Sequence, residues 1–310
     1  MRKDGHGCLV LEKKIEYAQW VAGKAPVAVV MISLNEGHNM AEVIHNLKGW
    51  AQEVFLVDSY SVDQTVDIAL ANGVHVVQRR FQGFGDQWNF ALNALPINAP
   101  WVMKLDPDER LTDEFKESII RITSENNCQG IIINRRLWFM GTVLPISQAI
   151  LRIWKTGTCQ FTKAKVNEHP IVSGPTKLSA GYIEHHDSPN LDHWFAKQNN
   201  YSTAEAFSLY EGQPFDIEPK IFGDELQRRM WLKKNFWKIP GRYLILYLYH
   251  LIVLGSWRAG KIGMIWAHLR TEVYQMWEYK KIEIERSGKK IFLKIPINSG
   301  KPDSRVKQYE

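Results

Sequence analysis

Cysteine is scarce in this sequence: Cys8, Cys128 and Cys159 are the only three in 310 residues. They are far apart, odd in number and never spaced C-x-x-C. Neither a disulfide framework nor a structural zinc site is expected, and a reducing compartment suits the chain. Long apolar runs are missing as well. The most apolar stretch, Tyr243–Leu254 (YLILYLYHLIVL), has 12 residues, short of the roughly 20 needed to cross a bilayer. The N-terminal MRKDGHGCLVLEKKIEYAQW has no apolar core of signal-peptide length, so the expectation is a chain that stays in the cytosol. There is no low-complexity tract and no internal repeat.

What remains is an ordinary globular composition, 45% hydrophobic and 23% charged, enough apolar residue for a sizeable core. The length suits one large domain with an appendage or two small ones. Charge is unevenly placed. From Lys220 to Glu310 there are 19 Lys and Arg against 8 Asp and Glu, a net +11, which leaves −5 for residues 1–219. A basic tail of this kind meets nucleic acid or an anionic membrane surface.

Hydrophobic periodicity divides the chain. Residues 1–25 are polar and irregular, an N-terminal extension. From Pro26 the pattern alternates: strands at Val27–Ile32, Glu53–Val57, Val74–Val77 and Trp101–Leu105, helices at Asn39–Trp50, Val66–Ala71, Gly85–Leu95 and Glu114–Ile122. Continuous apolar strands alternating with helices predict a parallel sheet covered on both faces. Beyond residue 130 the spacing predicts strands at Gly130–Asn134 and Ile150–Trp154 around an aromatic loop (Trp138, Phe139), then a long helix at Leu191–Tyr210. Gly212, Pro214 and Pro219 mark a boundary near residue 215. The expected division is 1–25, a catalytic α/β domain at 26–215, and a basic, aromatic, helical region at 216–310.

Ligands of open parallel sheets bind beyond the carboxyl ends of the strands, and three of those ends are polar and acidic here. The first carries Ser33-Leu34-Asn35-Glu36, the second Asp58-Ser59-Tyr60-Ser61-Val62-Asp63-Gln64-Thr65, the fourth Asp106-Pro107-Asp108-Glu109-Arg110. Asp63 also reads as a helix N-cap. Asp106 and Asp108, two carboxylates joined by a proline that fixes φ, suit a divalent ion, Mg²⁺ or Mn²⁺. Such an ion can neutralise a diphosphate leaving group. A bare acidic turn gives the same letters, and the two other acidic strand ends are what set this one apart.

These segments, in this order, resemble the inverting family 2 glycosyltransferases: S-x-N-E, V-D-S-x-S-x-D-x-T, G-F-G-x-Q-x-N-F-A-L and W-V-x-x-L-D-x-D-E-R. Within that family they are most similar to the lipopolysaccharide core β-glucosyltransferase branch, over about residues 27–210. The resemblance implies a GT-A fold and a nucleotide-sugar donor held by Ser33, Asn35, Glu36, Asp58, Gln87, Asn89 and Asp106. It also implies a metal on Asp106 and Asp108. Trp88 stands where the family often has Lys or Arg, so a phosphate-binding cation is expected from elsewhere: Arg79, Arg80 or, on the similarity of Arg152-Ile153-Trp154-Lys155 to a family segment, Arg152. Val166-Asn167-Glu168-His169 resembles a V-H-E segment that makes Glu168 the base candidate, and Ile183-Glu184-His185-His186 resembles a site-closing segment with a histidine metal ligand, His185 or His186. Lys197–Ala204 is similar to an N-x-Y-S-T helix, which the acceptor site or core packing would use. Nucleotidyl transfer is the nearest alternative chemistry, but Ser33–His38 is not the basic glycine-rich loop it would need. A non-catalytic relative that binds nucleotide sugars is the third reading.

In the tail, Trp231, Trp237, Trp257, Trp266 and Trp277 lie among Lys233, Lys234, Lys238, Lys261, Lys280 and Lys281. Aromatic rings beside cations mark interfacial helices. Peripheral attachment to the cytosolic face of the inner or plasma membrane, with a glycan or glycolipid acceptor, is therefore expected. No nucleic-acid-binding motif accompanies the charge.

Overall fold

The computed structural model describes residues 2–3, 9–10, 18–162, 169–211, 218–223, 225–287 and 299–309. Two short strands, β1 (Arg2–Lys3) and β2 (Leu9–Val10), pair antiparallel. The architecture is decided by β3 (Ala25–Ser33). Its Val27, Val29 and Met31 enter one buried cluster and its Ala28 and Val30 another. A strand apolar on both faces needs cover on both.

That cover comes from the helices between strands. On one face lie α1 (Gly37–Leu47), whose Met40, Val43, Ile44 and Leu47 are fully buried at helical spacing, and α2 (Thr65–Ala71). Each such side chain contributes roughly 1.5–3 kcal/mol by leaving water. Between them runs β4 (Ala51–Asp58), followed after α2 by β5 (His75–Arg79). The other face is covered by α3 (Phe84–Ala94) through Trp88 and Ala91. Next come β6 (Trp101–Lys104), the short β7 (Glu109–Leu111), and α4 (Asp113–Glu125), whose N-cap Thr112 accepts a hydrogen bond from the Phe115 amide.

The chain then leaves the α/β rhythm. A long hairpin, β8 (Gly130–Phe139) and β9 (Thr142–Lys155), is turned by Met140 and Gly141, both at positive φ, as a two-residue I′ turn requires. The aromatic loop expected at Trp138 and Phe139 is therefore strand. β10 (Cys159–Phe161) pairs with β11 (Pro170–Val172), and β12 (Thr176–Leu178) and β13 (Ile183–His185) both add to β8 in parallel. Helix α5 (Leu191–Glu211) follows, then α6 (Glu225–Asn235), α7 (Arg242–Leu248) and α8 (Gly260–Ser287). The last strand, β14 (Lys307–Tyr309), returns to lie parallel to β5.

The main sheet runs β14-β5-β4-β3-β6-β9-β8-β13-β7, with β12 beside β8. From β14 to β6 every pairing is parallel. It is the mostly parallel, helix-flanked α/β sheet that a GT-A fold implies. β3 has β4 on one side and β6 on the other, so the loops after β3 and β6 diverge at its switch point, where such folds bind ligands. The C-terminal helices are not detached. Trp266, Ala267, Val273 and Trp277 share a buried cluster with Phe139 and Leu144 of the hairpin and Trp194 of α5. Residues expected in a separate tail thus close both a side cluster and, through β14, one sheet edge.

Candidate active site

Register brings the acidic strand ends together. Ser33 pairs with Asp58 across β3 and β4, and Val30 pairs with Lys104, two residues before Asp106. The first two loops form one hydrogen-bonded unit. Asp58 is fully buried and accepts from Ser33 Oγ (3.0 Å), the Ser61 amide (2.9 Å), Gln78 Nε2 (2.9 Å) and the Ser61 hydroxyl. Its lone pairs are used within the protein, so Asp58 shapes the loop. Asn35 donates from its amide to Ser61 Oγ (2.8 Å) and accepts from the Val62 amide (2.8 Å). Asp63 accepts from the amides of Thr65 (3.0 Å) and Gly37 (2.9 Å), so it fastens the other loop to the first residue of α2; the N-cap position itself is Gln64, one residue later than expected. Asn35 and Tyr60 hold left-handed backbone, a conformation costing about 1 kcal/mol or more that persists where surroundings enforce it. Gly300, from the C-terminal segment, lies so close that a Cβ there would meet the Tyr60 carbonyl at 2.1 Å.

Gln87 and Asn89 serve the framework. Gln87 is fully buried, accepts from Arg79 (2.8 Å) and donates to Ser59 Oγ (3.3 Å). Asn89 exchanges two hydrogen bonds with the Phe161 backbone, at 3.0 and 2.8 Å, and so pins α3 to β10. Trp88 is buried and stacked on Phe161, with the Lys104 ammonium 4.6 Å from its ring centre. The cation beside this position therefore comes from β6. Of the arginines expected to supply it, Arg79 pairs with Asp86, Arg80 lies near the Tyr60 ring, and Arg152 faces Asp106.

At the third strand end, Asp106 and Asp108 part company. Asp106 Oδ2 accepts from Arg152 Nη2 at 3.0 Å. Burial would raise the Asp106 carboxyl, but Arg152 first and Lys104 next hold it down at about 2. Glu109, fully buried, accepts from the Asp106 amide (3.0 Å), Arg152 (3.3 Å) and Arg135 (3.4 Å), and so positions this pair. Glu109 carried no expectation from sequence beyond its place in the D-x-D-E-R string.

Asp108 turns instead to β13. His185 pairs in register with Glu109 of β7, which sets His185 Nε2 3.2 Å from Asp108 Oδ2 and 3.8 Å from Asp187 Oδ1. Burial opposes ionisation of Asp108, yet His185 foremost and Lys197 hold its carboxyl far below the usual range. One ligand atom each from Asp108, His185 and Asp187 lies within 4.8 Å of the others. Asp108 Oδ1 is buried without a partner among the described residues, an orphaned lone pair of the kind a hard cation satisfies. The residues thus fit a divalent ion, with Asp187 in the group and Asp106 outside it. His186 is not part of it, because its ring stacks on Trp138 at 4.8 Å and 17°. Asp187, two residues past His185, repeats the i, i+2 spacing of Asp106 and Asp108, and that was its signal. Glu168, the base candidate, lies outside the described residues. Glu36 sits at the rim with Asn39 Nδ2 on its carboxylate (2.9 Å). Burial, with Asp108 and Asp106 adding, lifts its carboxyl to about 7.

Residues 28–177 match the profile of the family described as Glycosyl transferase family 2. An uncharacterised glycosyltransferase of Rickettsia typhi is 33% identical over 207 residues, 61% of this chain and 70% of that protein. The lipopolysaccharide core biosynthesis glycosyltransferase LpsC of Rhizobium meliloti is 25% identical over 254 residues, 78% of this chain and 86% of that protein. A solved mannosyltransferase, PcManGT from Pyrobaculum calidifontis in complex with GDP-Man and Mn²⁺, has a TM-score of 0.48 at 14% identity, covering 88% of this chain and 91% of that one.

Proposed function

The chain belongs to glycosyl transferase family 2, and from that premise we propose that it moves a hexose, with inversion, from a nucleotide sugar to a glycan or glycolipid acceptor in cell-envelope polysaccharide or lipopolysaccharide core synthesis. The observation that carries this reading is the Asp108–His185–Asp187 cluster at the switch point, one strand from the serine-rich loops. In this reading the loops of Ser33–Glu36 and Asp58–Thr65 seat the nucleoside, with Glu36 as the acceptor for its hydroxyls. Asp108, His185 and Asp187 would hold Mg²⁺ or Mn²⁺, which neutralises the charge that builds on the diphosphate leaving group. Arg152, fixed by Glu109, orients Asp106 toward the donor. Glu168, by its resemblance to the family base, takes the proton from the acceptor hydroxyl so that it attacks opposite the leaving group.

The acceptor side of the proposal is a membrane surface. No helix of the described residues is long and apolar enough to cross a membrane. The apolar stretch at residues 243–254 splits in two: Tyr247, Leu251 and Leu254 pack on the side cluster, while Leu244, Ile245, Leu248, Ile252 and Val253 are exposed, as is Trp257. Exposed Lys234, Lys238, Arg258 and Lys261 accompany them. An exposed apolar face with flanking cations suits an anionic lipid interface. The test of the whole reading is incubation with Mn²⁺ and a panel of UDP-, GDP-, ADP- and dTDP-sugars, scoring donor hydrolysis and transfer to membrane glycolipid. If no donor is consumed under any metal condition, the assignment fails.

A further inference from the structure

Lys197 reaches from α5 into the acidic cluster. Its ammonium lies 3.2 Å from Asp108 Oδ2 and 3.0 Å from Asp187 Oδ1, and it donates to the Asp187 main-chain oxygen at 3.1 Å. Asp108 Oδ2 is the oxygen that also meets His185 Nε2, and Asp187 Oδ1 is the other carboxylate oxygen near that ring. The atoms best placed to ligate a divalent ion are thus already held by a side-chain cation.

We propose that Lys197 is a tethered placeholder: its ammonium holds Asp108 and Asp187 together before a divalent ion binds, and it must give up those oxygens for the ion to enter. The proposal rests on the reading of Asp108, His185 and Asp187 as the metal site. A divalent ion takes its oxygens at about 2.0–2.6 Å, so an ammonium left on the same two carboxylates would face it at short range. The side chains of Asp108, Asp187, His185 and Lys197 are all largely shielded from solvent, which leaves little water to screen that repulsion.

The exchange needs no movement of the helix. One turn further along α5, Lys280 of α8 donates to Asn199 O, Asn199 Oδ1, Ser202 Oγ and Thr203 Oγ1 at 2.6–2.8 Å. At the start of α5, His193 packs edge-on against His38 at the start of α1, with ring centres 5.1 Å apart. The backbone carrying Lys197 is therefore fixed on both sides, and the change falls on its flexible stem. The Asp187 carbonyl oxygen belongs to neither carboxylate and stays available to the displaced ammonium. The orphaned Asp108 Oδ1 shows that one ammonium does not use the whole carboxylate.

The test is Mn²⁺ titration of the full-length, nucleotide-free protein, with free Mn²⁺ read by electron paramagnetic resonance. Lys197→Met should bind Mn²⁺ about tenfold tighter or more, because a nearby like charge is gone. Lys197→Arg, which keeps the charge, should stay within about threefold of wild type, and Asp108→Asn should lose binding in either background. Lys197→Met should also melt lower than wild type without metal and recover more on adding Mn²⁺. If Lys197→Met fails to fold, Lys197→Gln carries the same expectation. Mn²⁺ affinity in Lys197→Met and Lys197→Gln equal to or weaker than wild type overturns the placeholder alone. Absence of Mn²⁺ binding from wild type and every variant overturns the metal reading and the placeholder with it.

Discussion

Glu36 is held against its chemical preference, which makes Glu36→Gln a quantitative test of the donor-loop geometry. Its carboxyl is lifted from an ordinary 4.5 to about 7, chiefly by burial and then by Asp108 and Asp106, with Asn39 and Lys197 pulling the other way. The folded protein therefore binds this proton more tightly than the unfolded chain does. Stability from this group is greatest below pH 4.5, declines as pH rises through the window from 4.5 to about 7, and is fully lost above it. The lift corresponds to roughly 3 kcal/mol. With 28% of the side chain still exposed, solvent reduces that to about 2 kcal/mol. Glutamine keeps an acceptor for Asn39 Nδ2 and cannot ionise. In chelator at pH 8, Glu36→Gln should be about 2 kcal/mol more stable than wild type, raising the melting temperature by about 4 °C or slightly more. At pH 4 the two proteins should melt together, and the variant should bind donor more weakly at either pH, the cost of a stabilised functional position. Urea or thermal denaturation at both pH values measures the difference. A variant no more stable at pH 8, or equally favoured at pH 4 and pH 8, would refute the reasoning.

Three other expectations follow from the site and the surface. Chelation should abolish transfer and Mn²⁺ or Mg²⁺ restore it, while Asp108→Asn keeps the fold by circular dichroism and loses turnover by roughly 10²-fold or more; full activity in excess chelator would remove the metal from the mechanism. Glu168→Gln should cut turnover by about 10²–10⁴-fold with donor affinity within a few-fold, and a collapse of donor affinity would place Glu168 in the donor site instead. Ile245→Glu with Ile252→Glu, both exposed, should leave the melting temperature unchanged and remove sedimentation with phosphatidylglycerol vesicles. Salt should weaken wild-type binding only in part, because it screens the lysines and not the apolar contact; vesicle binding that survives the double substitution would show that this face is not the one that meets lipid.

Local pattern carried the first half of the fold well. Strands apolar on both faces and helices with Met40, Val43, Ile44 and Leu47 at helical spacing leave few arrangements open; the observed β3 contains the expected strand, and α1 overlaps the expected helix but ends at Leu47, short of Trp50. Reading failed where pairing partners lie far away in sequence. Trp138 and Phe139 look like loop because aromatic and arginine residues interrupt the alternation, yet β9 supplies a partner across a Met140–Gly141 turn that no common turn dipeptide announces. β14 is only three residues long, and its place beside β5 depends on the chain's return over more than two hundred residues. Gln78 shows what that return does. It donates to Asp58, while its Oε1 accepts from the Asp303 amide at 2.8 Å and from Gln308 Nε2 at 3.0 Å. The C-terminal segment therefore braces the first two loops from behind.

The site divides along a similar line. Motif spacing shows which residues approach the same sheet edge, but not which of their lone pairs are left over once the loops have folded. Ser33, Asn35 and Asp58 read as ligand-facing because they are polar and near the strand ends, and Gln87 and Asn89 because the family resemblance implies it. In the structure much of their hydrogen-bonding capacity goes into neighbouring groups of the protein, and the four lone pairs of Asp58 are all taken. Asp108 is the opposite case: it too is buried, yet among the described residues one oxygen has no partner and the other is shared between His185 and Lys197. On the proposed reading, the residues that meet a ligand are those whose needs the protein leaves unmet or meets with something that can be displaced. That property belongs to the completed hydrogen-bond account around each group. It is why Asp187 and Lys197, ordinary residues in the sequence, stand beside Asp108, while the more conspicuous Asn89 holds α3 in place.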